Sequence, residues 1–305
     1  MESTIEHFLE TISPETKDIC YRYIAMIRQD YARNVIADTS LYLNSLLGGL
    51  ANTKNFQNIE KYCMFLGCPR SGHTLVSALM DSHPNMIISN ELDALKFFAK
   101  GFSKEQVYYL ILQHSKADAK IDRNIGGYSY KIPNQGQANF NQVKVIGDKH
   151  APLTTTRLCM EPTLLESLYN KVGVPIKFIH VIRNPYDNIK TIATKDFGGL
   201  KLEVAMELYF LLCKEVLSIK ERIDRSNILN VRHESLIQNT QKVLEEINYF
   251  LGVDTPNGYI ENCSKSIYKK PHKSRHETKW NEQLINIIRE NIDKYDFLKN
   301  YEYSE

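Results

Sequence analysis

The stretch from Lys61 to Pro84, KYCMFLGCPRSGHTLVSALMDSHP, constrains the fold of this chain more than any other. It begins with an apolar run, Tyr62 to Leu66, that has the length and composition of a buried strand. A turn with glycine at both ends, Gly67 to Gly72, comes next, and apolar residues then recur at helical spacing as far as Asp81 to Pro84. A strand, a glycine-bounded loop and a helix in this order aim backbone N–H groups and a helix N-terminus at one point. The pattern therefore predicts an α/β fold with an anion site at the loop.

The loop differs from a nucleoside-triphosphate loop at one position. Gly67 to Thr74 matches G-x-x-x-x-G-K-[ST] except that His73 replaces the lysine that reaches the terminal phosphates of ATP or GTP. Arg70 offers a different cation within the same loop. The loop alone leaves three interpretations open: a phosphotransferase, a non-catalytic nucleotide-binding module, or a turn that binds no ligand.

A longer match extends beyond the loop. Residues 69–75, PRSGHTL, resemble the phosphosulfate loop P-[KR]-S-G-[TH]-[ST]-hydrophobic of sulfotransferases that use 3′-phosphoadenosine 5′-phosphosulfate, and Leu79 to Pro84 resembles L-[LM]-D-x-H-P of the carbohydrate and tyrosyl-protein branches. The resemblance covers roughly residues 61–280. It implies that the donor is bound by Arg70, Ser71, Gly72, His73, Thr74 and Leu75. Cytosolic members carry a tryptophan that stacks on adenine at the position of Leu75, so the residue that stacks here is left open.

A second signature follows the most apolar strand, Val174 to Ile182. Residues 183–191, RNPYDNIKT, resemble the family's R-[ND]-P-x-D with a hydroxyl eight residues after the arginine, which implies that Arg183 and Thr191 hold the 3′-phosphate. Near the C-terminus, the resemblance implies a basic loop over the nucleotide, with Lys273, Ser274 and Arg275 as candidates. The alternative for that loop is a solvated charged surface.

Two candidate bases follow two further predicted strands. Glu91 follows Met86 to Ser89 and stands twenty-one residues after Arg70, as the catalytic glutamate of tyrosyl-protein sulfotransferases does relative to its loop arginine. His150 follows Val143 to Gly147 in DKHAP, which is similar to the K-T-H-x-P of cytosolic members, and Lys149 is placed to stabilise charge on the leaving phosphate. A helix-capping acid and a surface histidine are the structural alternatives, and the choice between Glu91 and His150 is open.

The acceptor has weaker signals. The polar segment 123–142 carries Tyr128, Tyr130 and Gln135, which would line an acceptor site or belong to a solvated loop. We expect a small metabolite or natural product as acceptor, and carbohydrate is also compatible.

Composition sets the remaining bounds. With 305 residues, 43% hydrophobic and 24% charged, we expect a three-layer α/β/α domain with a central parallel sheet over residues 61–305. A helical extension, residues 1–60, precedes it and would pack on the sheet or form a lid or a dimer surface. A net charge of +2 does not indicate nucleic acid, and the absence of a long apolar run predicts a cytoplasmic protein without membrane contact. The six cysteines are scattered and no metal-ligand motif occurs, so no metal is expected. The sequence does not indicate the oligomeric state.

Overall fold

The computed structural model describes residues 12–32, 35–121, 124–125, 128–133 and 142–304. At its centre lies a sheet of five strands, all parallel, in the order β2-β5-β1-β6-β7. These strands are β1 (Lys61–Leu66), β2 (Met86–Asn90), β5 (Val145–Lys149), β6 (Ile176–Ile182) and β7 (Ile228–Arg232). A separate antiparallel pair consists of β3 (Asn124–Ile125) and β4 (Tyr128–Ser129).

Helices surround the sheet. They are α1 (Pro14–Ala32), α2 (Val35–Ala51), α3 (Thr53–Phe56), α4 (His73–Asp81), α5 (Ala94–Ala99), α6 (Lys104–Lys120), α7 (Ala151–Met160), α8 (Thr163–Val172), α9 (Pro185–Lys195), α10 (Leu202–Lys220), α11 (His233–Gln238), α12 (Thr240–Leu251), α13 (Tyr259–Lys265) and α14 (Glu282–Ile292). Within the described ranges, none of these helices is both long and apolar enough to cross a membrane.

The two faces of the sheet carry separate hydrophobic cores. Along β1, Met64 and Leu66 enter the core shared with α6 and α8, whereas Cys63 and Phe65 enter the core shared with α4 and α12. This alternation follows from the two-residue period of a strand. A third apolar cluster joins α9, α10 and α14. The arrangement confirms the predicted three-layer α/β/α fold with a parallel sheet.

Where the structure describes them, the two N-terminal helices make their most extensive contacts with other helices, α6 and α10, both of which contribute buried residues to the core on one face of the sheet. Helix α1 contacts α10, and α2 contacts α6. The second contact is close, since a Cβ atom on Gly49 would lie 2.9 Å from the backbone of Glu105.

Strand β5 lies two residues later than the sequence pattern predicts. It begins at Val145, and its residues Gly147 and Asp148 pair with Cys63 and Met64 of β1. Lys149 therefore belongs to the strand, opposite Asn90 of β2. The carboxyl ends of parallel strands meet at one edge of the sheet, so this register brings the residues that follow β2 and β5 to the edge where the loop after β1 lies.

Candidate active site

Helix α9 supports the loop after β1 through hydrogen bonds with Asn188. Ser71 Oγ lies 3.0 Å from the Cys68 carbonyl and 3.0 Å from Asn188 Oδ1, and Asn188 Nδ2 donates to the Pro69 carbonyl at 2.9 Å. Both side chains are buried. The Ser71 hydroxyl thus serves the shape of the loop, and Asn188 is a supporting residue that the sequence pattern did not single out.

Gly72 caps α4 in a conformation that favours glycine. Its φ is 99°, and a Cβ atom there would lie 2.3 Å from His233 Nδ1. Burial, then the charges of Arg183 and His73, lower the pKa of His233 to about 3. His233 Nδ1 is buried and has no hydrogen-bond partner among the described residues. The neutral imidazole of His233 therefore leaves no space for a side chain at Gly72.

The His73 side chain points away from the anion position that we predicted for it. Its Nε2 lies 2.9 Å from the Leu66 carbonyl, and its ring packs edge-on against Phe65. Burial lowers the pKa of His73 to about 3, and the charge of Lys149 adds to this shift. The neutral ring stabilises the end of β1, so only the backbone N–H of His73 is available to an anion at the start of α4.

Lys149 connects the loop to one candidate base. Its Nζ donates to Thr74 Oγ1 at 3.0 Å and to Glu91 Oε1 at 2.7 Å. The Lys149 side chain is 3% exposed and that of Glu91 is 49% exposed. Burial alone would raise the pKa of Glu91, but the ammonium group of Lys149 outweighs it and the net shift is downward.

The second candidate base, His150, precedes α7. Burial lowers the pKa of His150, although Asp148, Glu91 and Asp93 partly oppose the shift. Its Nδ1 is buried without a hydrogen-bond partner in the described part of the chain. The ring is therefore neutral near pH 7, and the structure places it at the same edge as Glu91 and Lys149.

An aspartate that the sequence pattern did not single out shapes the turn after β2. The carboxylate of Asp148 accepts hydrogen bonds from Ser89 Oγ at 2.7 Å, from the Leu92 N–H at 3.2 Å and from the Ala94 N–H at 3.0 Å. These bonds hold a tight turn in which Glu91 adopts a φ of 65°. Such a conformation is uncommon for a residue with a side chain, and it directs Glu91 toward Lys149.

The Arg70 guanidinium does not face the loop centre. Its Nε and Nη2 bind Asp196 Oδ1 at 2.9 and 2.5 Å, and this bond to Asp196 raises the pKa of Arg70. Asp196 directly follows α9, so the pair joins the loop to the end of that helix.

Arg183 and Thr191 of the second signature form a cluster with His272 and Ser274 of the C-terminal loop. Arg183 Nη1 donates to the Arg70 carbonyl and to Thr191 Oγ1, each at 3.3 Å. Arg183 Nη2 donates to the His272 carbonyl at 3.1 Å and to Ser274 Oγ at 3.4 Å. All four acceptors are neutral, and no carboxylate of the described residues pairs with Arg183. The cluster thus presents an uncompensated guanidinium beside two hydroxyls.

Arg275 and Lys273 lie outside this cluster. The Arg275 guanidinium is buried against the Asp187 carboxylate, and its Nε donates to the Tyr303 carbonyl at 2.8 Å. Arg275 therefore anchors the C-terminal segment to α9, with its charge neutralised by Asp187. The Lys273 side chain is exposed to solvent.

The structure describes the side chains of only two of the remaining predicted residues, Leu75 and Tyr130. The half-buried side chains of Leu75 and Tyr130 pack against the core that contains α4 and α12. The backbone of Tyr128 lies in β4, but its side chain and the whole of Gln135 lie outside the described residues.

Comparison with known proteins gives one match to a protein family. A sequence model described as the sulfotransferase domain matches residues 60–299. No curated protein matches the chain.

Several solved sulfotransferase structures match this chain. The sulfotransferase domain of the Synechococcus PCC 7002 olefin synthase is 20% identical, with 73% of this chain and 84% of that chain covered and a TM-score of 0.44. Sulfotransferase STF9 from Mycobacterium avium is 13% identical, with 94% and 88% covered and a TM-score of 0.45. Mouse sulfotransferase SULT7A1, complexed with PAP, is 14% identical, with 73% and 69% covered and a TM-score of 0.40.

Proposed function

The chain belongs to the sulfotransferase family, and from this premise we propose that it transfers a sulfuryl group from 3′-phosphoadenosine 5′-phosphosulfate to a hydroxyl or amine of a small-molecule acceptor. The observation that carries the proposal is the position of Arg183. Its guanidinium contacts the loop through the Arg70 carbonyl and the hydroxyl cluster through Thr191 and Ser274. Two neighbouring anion positions fit a nucleotide with phosphate groups at both its 5′ and 3′ positions, and ATP has none at the 3′ position.

The residues present fit the 3′ end of this donor. Arg183 is charged and makes only neutral contacts within the described residues, so a phosphate would supply its missing counter-charge. Thr191 Oγ1 and Ser274 Oγ lie 3.2 Å apart and each donates to the Asp187 carbonyl, at 2.7 and 3.1 Å; a phosphate beside Arg183 would receive a hydrogen bond from either hydroxyl after rotation of its O–H. Arg275 acts as a support in this proposal, because Asp187 occupies its guanidinium.

At the 5′ end, we assign Lys149, Thr74 and the backbone N–H groups of Gly72 and His73 to the phosphosulfate. In-line transfer forms a bond from the acceptor oxygen or nitrogen to sulfur and breaks the bond from sulfur to the bridging oxygen, whose electron pair leaves with the phosphate. Lys149 and the N–H groups at the start of α4 stabilise that developing charge. The guanidinium of Arg70 and the ring of His73 are left out of this assignment, because Asp196 and the Leu66 carbonyl occupy them.

We assign the role of general base to His150. Its ring is neutral near pH 7 because its pKa is lowered, so it accepts the acceptor's proton without first losing one. Glu91 is a weaker base, since Lys149 holds its pKa below the ordinary value. In this proposal Glu91 orients the ammonium group of Lys149. We further assign catalysis to residues 61–305 and treat residues 1–60 as a helical extension.

The donor assignment is tested by comparing two nucleotides that differ only in the 3′-phosphate. Isothermal titration calorimetry would measure the affinity of the protein for adenosine 3′,5′-bisphosphate and for adenosine 5′-monophosphate. A charge-assisted contact contributes about 1.5–3 kcal/mol, so the bisphosphate should bind roughly 10- to 150-fold more tightly. Equal affinities would remove the 3′ assignment.

A further inference from the structure

Two cysteines lie in contact where the loop after β1 packs against α10. Cys68 is the loop residue that follows Gly67, and its Sγ lies 3.8 Å from Sγ of Cys213 on α10. The Cys68 thiol also donates to the Tyr209 carbonyl at 3.5 Å, one turn earlier on the same helix. Both cysteines carry free thiols and are buried in the apolar cluster that joins α9, α10 and α14.

The two sulfur atoms are close enough for a disulfide to form after a small movement. A disulfide bond is about 2.0 Å long, so the sulfurs must approach each other by about 1.8 Å. Helix α10 contacts α1, α7, α9 and α14, which hold it in place from several sides. Most of the movement therefore falls on the loop and not on the helix.

A movement of Cys68 would disturb the hydrogen bonds that shape the loop. The Cys68 carbonyl accepts a hydrogen bond from Ser71 Oγ at 3.0 Å, and the Gly67 N–H donates to Thr155 Oγ1 on α7 at 3.1 Å. These bonds fix the backbone on both sides of the Cys68 side chain. A loop drawn toward α10 would displace the N–H groups at the start of α4, which we assign to the phosphosulfate.

We propose that Cys68 and Cys213 are an oxidation site, and that the disulfide formed there weakens binding of the donor nucleotide. A peroxide oxidises one thiol to a sulfenic acid and leaves as water. The second sulfur then attacks the sulfenic sulfur, so that the S–S bond forms, the S–O bond breaks and a second water leaves. Two electrons pass from the thiols to the peroxide, and a thiol reductant reverses the change. The effect on donor binding rests on the proposed function.

The burial of Cys68 determines when this oxidation occurs. Burial, and then the neighbouring Cys213 thiol, raise the pKa of Cys68, whereas the thiolate is the form that reacts. Oxidation therefore requires the loop to open and expose the thiol to water. A nucleotide bound at the loop should hold it closed and slow the formation of the disulfide.

The test treats the full chain with hydrogen peroxide, in the presence and absence of adenosine 3′,5′-bisphosphate. Mass spectrometry of a digest prepared without reductant should identify a peptide pair linked through Cys68 and Cys213, formed more slowly when the bisphosphate is present. After removal of the peroxide, calorimetry should show that the bisphosphate binds about tenfold or more weakly, as loss of one charge-assisted hydrogen bond would cause. Dithiothreitol should restore the affinity.

Cys213→Ala removes the partner thiol and leaves the loop sequence unchanged, so its bisphosphate affinity should be the same before and after peroxide. Cys213→Ser provides a second variant if the alanine variant does not fold. Cys263→Ala is the matched control, because Cys263 is a buried cysteine whose Sγ lies 3.6 Å from Ser82 Oγ; this variant should keep the wild-type response.

Three results would overturn the inference alone: no link between Cys68 and Cys213, a linked protein with unchanged affinity, or an equal loss of affinity in Cys213→Ala. Failure of the reduced wild-type protein to bind the bisphosphate would overturn the proposed function together with the effect on donor binding.

Discussion

Lys149 Nζ lies 2.7 Å from Glu91 Oε1. Lys149 is the last residue of β5 and Glu91 directly follows the neighbouring strand β2; the Lys149 side chain is almost fully buried whereas that of Glu91 is half-exposed. The ammonium group is thereby held at Thr74, the residue at the start of α4. In the proposed function, this ion pair orients the ammonium group of Lys149 toward the leaving phosphate, and it lowers the pKa of Glu91, which makes Glu91 a weaker base.

This relationship predicts different effects for the two partners. Lys149→Met should lower kcat by about 10²- to 10³-fold, as loss of a charge-stabilising group does, and should also weaken binding of the bisphosphate, which carries the 5′-phosphate assigned to Lys149. Glu91→Gln keeps a hydrogen-bond acceptor for Lys149, so its kcat should fall about tenfold or less. Release of adenosine 3′,5′-bisphosphate measures both rates. A larger loss in Glu91→Gln than in His150→Ala would assign the base to Glu91.

The pH dependence of the rate also distinguishes the two bases. A base must be unprotonated, and the pKa of His150 is below the ordinary 6.5, so kcat should be level near pH 7–8 and fall as the pH drops below that region. The pKa of Glu91 lies below 4.5, so a glutamate base would keep the rate level to lower pH. His150→Ala should lose about 10²- to 10⁴-fold in kcat together with the acid limb. His114→Ala, on α6, is the control and should retain the wild-type profile.

Arg183 should discriminate between nucleotides by their 3′-phosphate. Arg183→Gln removes the guanidinium beside Thr191 and Ser274, so adenosine 3′,5′-bisphosphate should bind roughly 10- to 150-fold more weakly while adenosine 5′-monophosphate changes little. Calorimetry measures both affinities. Arg225→Gln, an exposed arginine in a 3₁₀ turn, should leave both unchanged. An equal loss for the two nucleotides would place Arg183 elsewhere on the ligand.

Gly72 should tolerate no side chain while His233 is present. Gly72→Ala combines a φ of 99° with a Cβ atom 2.3 Å from His233 Nδ1, so we expect a loss of about 1–3 kcal/mol in the free energy of unfolding and weaker bisphosphate binding.

Gly101→Ala separates the two causes of this loss, because Gly101 has a φ of 89° and open space around its Cβ position. It should show only the backbone strain and keep bisphosphate binding. The double variant Gly72→Ala, His233→Ala should recover part of the lost stability and binding. No recovery would mean that the contact with His233 is not what restricts this position.

The sequence predicted those parts of the site that depend on short spacing. The loop and α4 follow from adjacent residues, and Arg183 meets Thr191 because a hydroxyl eight residues later stands two turns along the helix that the arginine precedes. Family resemblance added Ser274, which is distant in sequence. Fold class was predictable because β1 and β6 are mostly apolar and almost entirely buried.

Side-chain partners distant in sequence were not predictable. Asp196 binds Arg70 across 126 residues and Asp187 binds Arg275 across 88, and no periodicity links such pairs. The direction of the His73 ring likewise depends on the space beneath the loop, which the positions of β1 and β6 determine. Tertiary packing therefore decides which basic residues remain uncompensated.

The most direct test of the donor class is a thermal-shift titration of the purified protein with adenosine 3′,5′-bisphosphate, compared with ATP in the presence and absence of Mg²⁺. A ligand at a hundred times its dissociation constant stabilises the folded state by about 2.7 kcal/mol, which raises Tm clearly. We predict that the bisphosphate raises Tm without any metal and that ATP with Mg²⁺ has little effect. Stabilisation by ATP with Mg²⁺ alone would contradict the account and identify a phosphotransferase loop.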